Sequence, residues 1–400
     1  MQAIRELYKA GRGPSSSHTL APERACKLFT EVNGTFPYYE AELFGSLSLT
    51  GRGHRTDTVI QETLPSETKI IFSLDWEEDF PNGFYLSGFD ENHVLQKKWT
   101  VFSIGGGSIE IKEYPVSYNK EIYKEHRFAV IRKLLEEKNI SILDYIYGYE
   151  PDLKEYLADI LDQMIQCVDH GLHSEGDLPG RLQLQRCAKR LFEETNKDPL
   201  IIKNDLRIMS YAYAASEENA CGNTCVTAPT LGACGVMSAF MYYCAKDRRI
   251  EKERLIDALA IAGLFGNLIK TNATVSGAVG GCQAEVGAAV SMASAACAYL
   301  MEEDIDQIEY AAEIGMEHHL GLTCDPVMGY VMIPCIERNA MGVLRAMDAA
   351  LLSKHMSGIR KHLVSFDMVV ETMNETGKMI PIELKETSEG GLAKEFTHGI

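Results

Sequence analysis

Cys324 and Cys335 share one stretch, Gly321–Asn339, which reads GLTCDPVMGYVMIPCIERN. Pro326 follows the first thiol at one residue's remove, and Pro334 immediately precedes the second. Proline fixes φ and lacks an N–H donor, so the stretch is expected to be a held, non-helical loop between helices. Gly321 stops the helical pattern before it, and ERNAMGVLRAMDAALL resumes one after it. A third thiol, Cys282, follows Gly280 and Gly281 where a helix begins. A thiol at a helix N-terminus is expected to have a lowered pKa, and the thiolate is the form that binds metal. Three thiolates in fixed turns suit a [4Fe–4S] cluster with one iron left open, or a three-ligand zinc site. A competing trio, Cys221, Cys225 and Cys234, crowds the segment EENACGNTCVTAPTLGACG. Its spacing is neither CxxC nor CxxxCxxC, since Ala228 occupies the last position. Cys282, Cys324 and Cys335, each in a Gly- or Pro-fixed turn at a helix end, form the better set. With no secretory signal at the start, MQAIRELYKAGRG, the eleven cysteines are expected to be reduced thiols of a cytoplasmic protein, most of them simply buried.

A second group of reactive side chains comes early. In GRGPSSSHTLAPERACKLFTEVNG, Gly11, Gly13 and Pro14 oppose a helix, and one is expected around Pro22–Val32. Ser15, Ser16, Ser17 and Thr19 place hydroxyls just ahead of it, where a carboxylate or phosphate is readily held. The plain alternative is a helix cap, which needs fewer hydroxyls than these. His18 lies among them, and His54 sits with Asp57 in the Gly-flanked loop GRGHRTDTV. Neutral imidazoles of this kind serve as general bases near pH 7. Asn272 and Ser276, in the turn that leads to Cys282, are candidate substrate contacts. Asn92 and His93 read as an ordinary polar loop.

The elements that must position these residues fall into two kinds. AELFGSLSLT, TKIIFSLDW and LQKKWTVFSIGGGSIEIKEYPV read as strands, with Gly105–Gly107 marking a bulge or tight approach. Met1–Ala10 reads as a short helix. From about residue 147 the period becomes helical and no further strand is expected. RLIDALAIAGLFGNLIK and CQAEVGAAVSMASAACAYLM are rich in Ala, Gly and Ser, as suits closely packed interior helices. The expected class is α+β: a small domain with a mainly antiparallel sheet over 1–148, then an all-helical domain over 149–400. The 400 residues suit two domains. A net charge of −18 argues against nucleic acid or an anionic membrane as partner.

Several stretches carry a family resemblance. GPSSSHT (13–19), FGSLSLTGRGHRTD (44–57), SIGGG (103–107) and EGDLPG (175–180) resemble motifs of the iron–sulfur L-serine dehydratases. So do EENA…VTAPTLGA (217–233), SGAVGGCQAEVG (276–287), GLTCDPVMGYVMIPCIERNAMG (321–342) and KETSEGGLA (385–393). The matches run in order from end to end. The resemblance implies that Cys282, Cys324 and Cys335 hold a [4Fe–4S] cluster. It implies that Ser15–His18 and His54 reach L-serine across the domain interface, and that the product is pyruvate with ammonia. A homodimer is expected. Two departures stand out. Leu231 occupies a position where the family commonly has Asn. No cysteine follows Cys335, so the tail cysteine that fills the open iron in many members is not expected here, His398 or a terminal carboxylate being the substitutes. Three alternatives remain: a related lyase acting on cysteine or threonine, a pyridoxal-phosphate dehydratase built on Lys270, and a non-catalytic amino-acid sensor.

Overall fold

A computed structural model describes the backbone of residues 1–116, 120–195, 197 and 200–398. The chain opens with one 3₁₀ turn, Ile4–Glu6, where a short helix was expected, and then the strand β1 (Ala10–Arg12). The helix Ala21–Asn33 leads into a sheet of β2 (Tyr38–Gly45), β3 (Glu67–Phe72), β4 (Asn82–Phe89), β5 (Leu95–Gly105) and β6 (Ser108–Ile111). Their spatial order is β3-β2-β4-β5-β6. Only β2 and β3 pair in parallel; the other neighbours are antiparallel, which gives the α+β class.

The connection between the parallel pair carries two helices, Ser46–Leu49 and Thr56–Thr63. The stretch AELFGSLSLT therefore starts as the expected strand but does not remain one. Gly45 adopts φ 56, a left-handed turn that takes the chain out of the sheet and lets Ser46–Leu49 coil. The strand β4 corrects the expectation of a single polar loop between TKIIFSLDW and LQKKW. It is paired on both edges, which compensates for the weak strand preference of Gly83 and Gly88.

The helical half is built around Val286–Leu300. Its residues from Val286 to Ala298 are all buried, and it packs against the helices Cys234–Tyr242, Lys252–Asn272, Ile305–Glu317 and Cys335–Met356. A helix that is apolar on every side belongs in a core, and its Ala, Gly and Ser residues let four neighbours approach. This core also takes Met1, Ile4, Leu7 and Tyr8, together with residues of the helices Phe128–Lys138 and Ile142–Tyr149. The sheet keeps a core of its own, with Phe29, Phe84 and Trp99 at its centre. One strand was not anticipated in the helical half: β7 (Thr224–Val226), which pairs antiparallel with β1. It joins the amino-terminal segment to the helical half in one ladder, with Gly11 opposite Cys225. Among the described residues no helix is long and apolar enough to cross a membrane.

Candidate active site

Three turns of the helical half end on one small, tight cavity. Cys282 opens a 3₁₀ turn, Cys282–Ala284, just ahead of the central helix. Cys335 is the first residue of the helix Cys335–Met356. Cys324 lies between them in a loop whose backbone is pinned: its N–H donates to the Leu384 carbonyl at 2.8 Å, and its carbonyl accepts from the Glu386 N–H at 2.6 Å. Gln283 ties two of the turns together, since its side-chain oxygen accepts from Gly321 N–H and its own N–H donates to the Leu322 carbonyl. All three thiols line the cavity and none is in a disulfide.

The expected lowering of the Cys282 pKa does not occur. Burial pushes this thiol up to about 11, and the nearby Arg338 guanidinium offsets that only in part. Cys324 and Cys335 lie well above the ordinary thiol range, again through burial first and then through neighbouring carboxylates and thiols. Desolvation of a thiolate outweighs what a helix end supplies. Of the competing trio, Cys225 and Cys234 do meet, each pointing at the Ala215 carbonyl. The third thiol beside them is Cys167, whose sulfur is 3.4 Å from that of Cys225, and not Cys221. This knot is buried in the core and does not line the cavity.

His54 reaches the cavity from the amino-terminal side, with His18 behind it. Their rings stack with centroids 4.1 Å apart. The hydroxyl of Thr50 donates to the Ser46 carbonyl, so it accepts from His18 Nε2–H at 2.9 Å. His18 Nδ1 is then the acceptor for the Ser15 hydroxyl at 3.1 Å. His54 Nδ1 must donate to the Thr50 carbonyl at 3.0 Å, which leaves a lone pair on Nε2. Burial lowers the His54 pKa to about 4 and takes His18 well below its ordinary value, so both rings are neutral at pH 7. His54 and Ser15 line the cavity. The crossover turn bearing His54 presses on the thiol loop: a Cβ at Gly53 would stand 2.6 Å from the Gly329 carbonyl oxygen.

The other candidates are placed as follows. Ser16 Oγ accepts from the Leu231 N–H at 2.6 Å, so the position where the family commonly has Asn contributes through its backbone. The Ser17 carbonyl accepts from the Ser103 hydroxyl. Thr19 donates its hydroxyl to the carbonyls of Arg12 and Ser15 and so ties the loop instead of facing the cavity. Ser276 is buried beside Gly105, at the N-cap of the turn Gly277–Gly280. Asn272 is not among the residues lining the cavity, because its amide caps its own helix through Leu268 O and reaches His126 O. Lys270 bonds Gln2 and Ser108, away from the cavity lining. His93 stacks on Tyr38 at the sheet. Gly399, Ile400 and the side chain of His398 lie outside the described residues.

Two site residues were not singled out in the sequence reading. Glu285 and Glu386 both line the cavity. Glu285 Oε2 is 3.8 Å from Cys324 Sγ, and burial raises its pKa. Glu386 Oε1 lies 3.6 Å from His18 Nδ1 and 3.9 Å from His54 Nε2. Burial, and then the charge of Glu285, push its pKa well above the carboxylate range. The available signal was their place inside quoted motifs, three residues past Cys282 and second in KETSEGG.

Comparison with known proteins covers nearly the whole chain. A family model described as "Serine dehydratase alpha chain" matches residues 59–393, and one described as "Serine dehydratase beta chain" matches residues 3–68. L-serine dehydratase 1 of Escherichia coli is 35% identical, over 98% of this chain and 99% of its own length. The L-serine dehydratase of Streptomyces coelicolor is also 35% identical, over 98% of both chains. L-serine dehydratase TdcG of Escherichia coli is 36% identical over 98% of this chain.

Proposed function

The chain belongs to the serine dehydratase family, and from that premise we propose how its own residues carry out the reaction. It is an L-serine ammonia-lyase that deaminates L-serine to pyruvate and ammonia. The observation that carries the proposed chemistry is the single cavity in which Cys282, Cys324 and Cys335 face Ser15 and His54.

Cys282, Cys324 and Cys335 hold a [4Fe–4S] cluster in this reading. The donor set fits: three unpaired thiols from three pinned turns line one buried cavity. Buried thiols are costly as thiolates unless a cation offsets them, and three of them leave one iron without a protein ligand. When bound, the group supplies a Lewis-acidic iron that makes the β-hydroxyl a better leaving group. The loop Ser15–Ser17 receives the substrate carboxylate: Ser15 lines the cavity with its proton held by His18, and Ser16, whose Oγ accepts from Leu231 N–H, keeps a proton to donate. His54 Nε2 takes the Cα proton, because its lone pair faces the cavity while its Nδ1–H is held by Thr50. His18 has both nitrogens engaged and serves to orient Ser15 and to stack on His54. Loss of the proton and of hydroxide leaves aminoacrylate, which tautomerises and hydrolyses to pyruvate and ammonia.

Individual replacement of Cys282, Cys324 or Cys335 by Ser tests the ligand set. Each is expected to abolish pyruvate formation and to remove iron and acid-labile sulfide together. Cys297→Ala, a packing thiol beside Met301, keeps both. The ligand assignment fails if Cys225→Ala empties the protein of iron while the three replacements do not.

A further inference from the structure

We propose that Glu386 receives the α-ammonium of the substrate and so makes the site selective for amino acids over hydroxy acids that lack the amine. The inference rests on the proposed site but assigns a group that nothing above uses. The side chain of Glu386 is only 5% exposed. Among the described residues no lysine or arginine forms an ion pair with it; its ionic neighbours are His18 and His54, both held neutral by burial. Its Oε2 makes no hydrogen bond of good geometry, and the Ser46 hydroxyl and Ala278 N–H near the carboxyl bring no positive charge. A buried carboxyl group without a cationic partner is costly to ionise, and a ligand that brings a cation offsets that cost. Glu386 also lines the cavity, and one ligating atom each from His18, His54 and Glu386 lie within 4.8 Å of one another. His18 has both nitrogens engaged, so the free acceptors that converge are the Glu386 carboxyl and His54 Nε2, and together they match a group carrying several N–H donors and a positive charge, as a primary ammonium does.

Position supports the same assignment over Glu285. Glu285 faces the thiols, with Oε2 beside Cys324 Sγ, on the side where the leaving hydroxyl belongs. Glu386 faces His54, which takes the proton from the carbon that bears the amine. An ammonium on Glu386 therefore sits next to the Cα–H bond that breaks. Backbone contacts hold Glu386 in place: its N–H bonds the Cys324 carbonyl, and its carbonyl accepts from the Ser46 hydroxyl at 2.9 Å.

The test compares iron-loaded wild type with Glu386→Gln, matched for iron and sulfide content. Binding of L-alanine and of propionate, which differ only in the amine and carry no leaving group, is measured by ligand-observed NMR titration. Loss of a charge-assisted contact is expected to weaken L-alanine about tenfold to a hundredfold. Propionate stays within about twofold, and KM for L-serine rises in parallel with L-alanine. Equal losses for both ligands, or no loss for either, overturn the proposal. A selective loss in Glu285→Gln and not in Glu386→Gln overturns it as well. Failure of the underlying reading is separate, because it shows in wild type alone, as protein without iron or without serine turnover.

Discussion

For His54 to act as the proposed base it must remain unprotonated near pH 7, and burial achieves this. With its pKa near 4 and its Nδ1–H fixed on Thr50, the ring presents a lone pair on Nε2 across the working range. His54→Ala is therefore expected to keep its iron but to lower kcat about 10²- to 10⁴-fold, the usual contribution of a positioned base; iron analysis beside a pyruvate assay checks it. The same burial has a folding consequence of definite sign. The unfolded chain binds a proton near pH 6.5 that the folded one refuses until about pH 4. Stability is thus fully present above pH 6.5 and is lost as pH falls towards 4, on the order of 3 kcal/mol for His54. Urea midpoints of the iron-free protein at pH 7.5, 6 and 5 should fall in that order, and His54→Gln should flatten the slope. That the thiols and His54 sit in held turns was legible because Gly and Pro mark such turns, and these residues line one cavity. Glu386 was not, because a lone carboxylate in the polar stretch KETSEGG looks solvated. Glu285 stands in the apolar stretch CQAEVGAAV, where a lone carboxylate was itself a sign of a buried polar group, and only the meeting of distant turns shows what the two face.

The elements around the site act as clamps on loops that carry the chemistry. Asn219, at the end of the helix Leu200–Ala220, donates its amide to the Pro14 carbonyl at 2.7 Å and so fixes the start of Ser15–His18. Asn339 does the same one layer away, joining Gly232 O and the Val236 N–H to the helix that begins at Cys335. Asp325 accepts from the Leu392 N–H, and Ser388 donates to Pro326 O, which locks 385–392 onto the Cys324 loop. Replacing Asn219 by Ala leaves a buried carbonyl unpaired, a loss of about 1–3 kcal/mol. The expected result is a lower denaturant midpoint and a raised KM with iron content unchanged, and loss of iron in Asn219→Ala would show that the clamp reaches the thiols. These motif residues were visible as EENA and IERN, but their role was not, because a side chain that bonds a backbone more than a hundred positions away leaves no local pattern. Strands suffered likewise. The parallel pairing of β2 with β3 and the interior strand β4 depend on neighbours that compensate for Gly83 and Gly88, which period and propensity cannot supply.

At the scale of the molecule, two cores meet along a seam, and the site lies in it. Cys282 and Cys324 belong to the helical core and Cys335 opens one of its helices, whereas His54 arrives on the crossover of the sheet unit. The two sets should therefore fail independently. Gly53 is where the turn bearing His54 touches the thiol loop, and a side chain there would meet the backbone of Met328 and Gly329, with contacts of 2.6–3.0 Å. Backbone has little room to yield, so Gly53→Val acts as a wedge between the halves, at a cost of about 1–3 kcal/mol from overpacking. The thiols remain anchored by Gln283, Asn339 and Leu384, none of which touches Gly53. The expected protein binds iron and sulfide as wild type does but turns over L-serine at least about a hundredfold more slowly, because a displacement near 1 Å in a reacting geometry is that expensive. A core lesion should behave differently: Ala293→Leu, in the middle of the fully buried central helix, should lose iron and activity in step. Iron content plotted against kcat for the two variants separates the cases. If Gly53→Val loses iron in proportion to activity, the two halves do not move as separate bodies, and the seam is a continuation of one core.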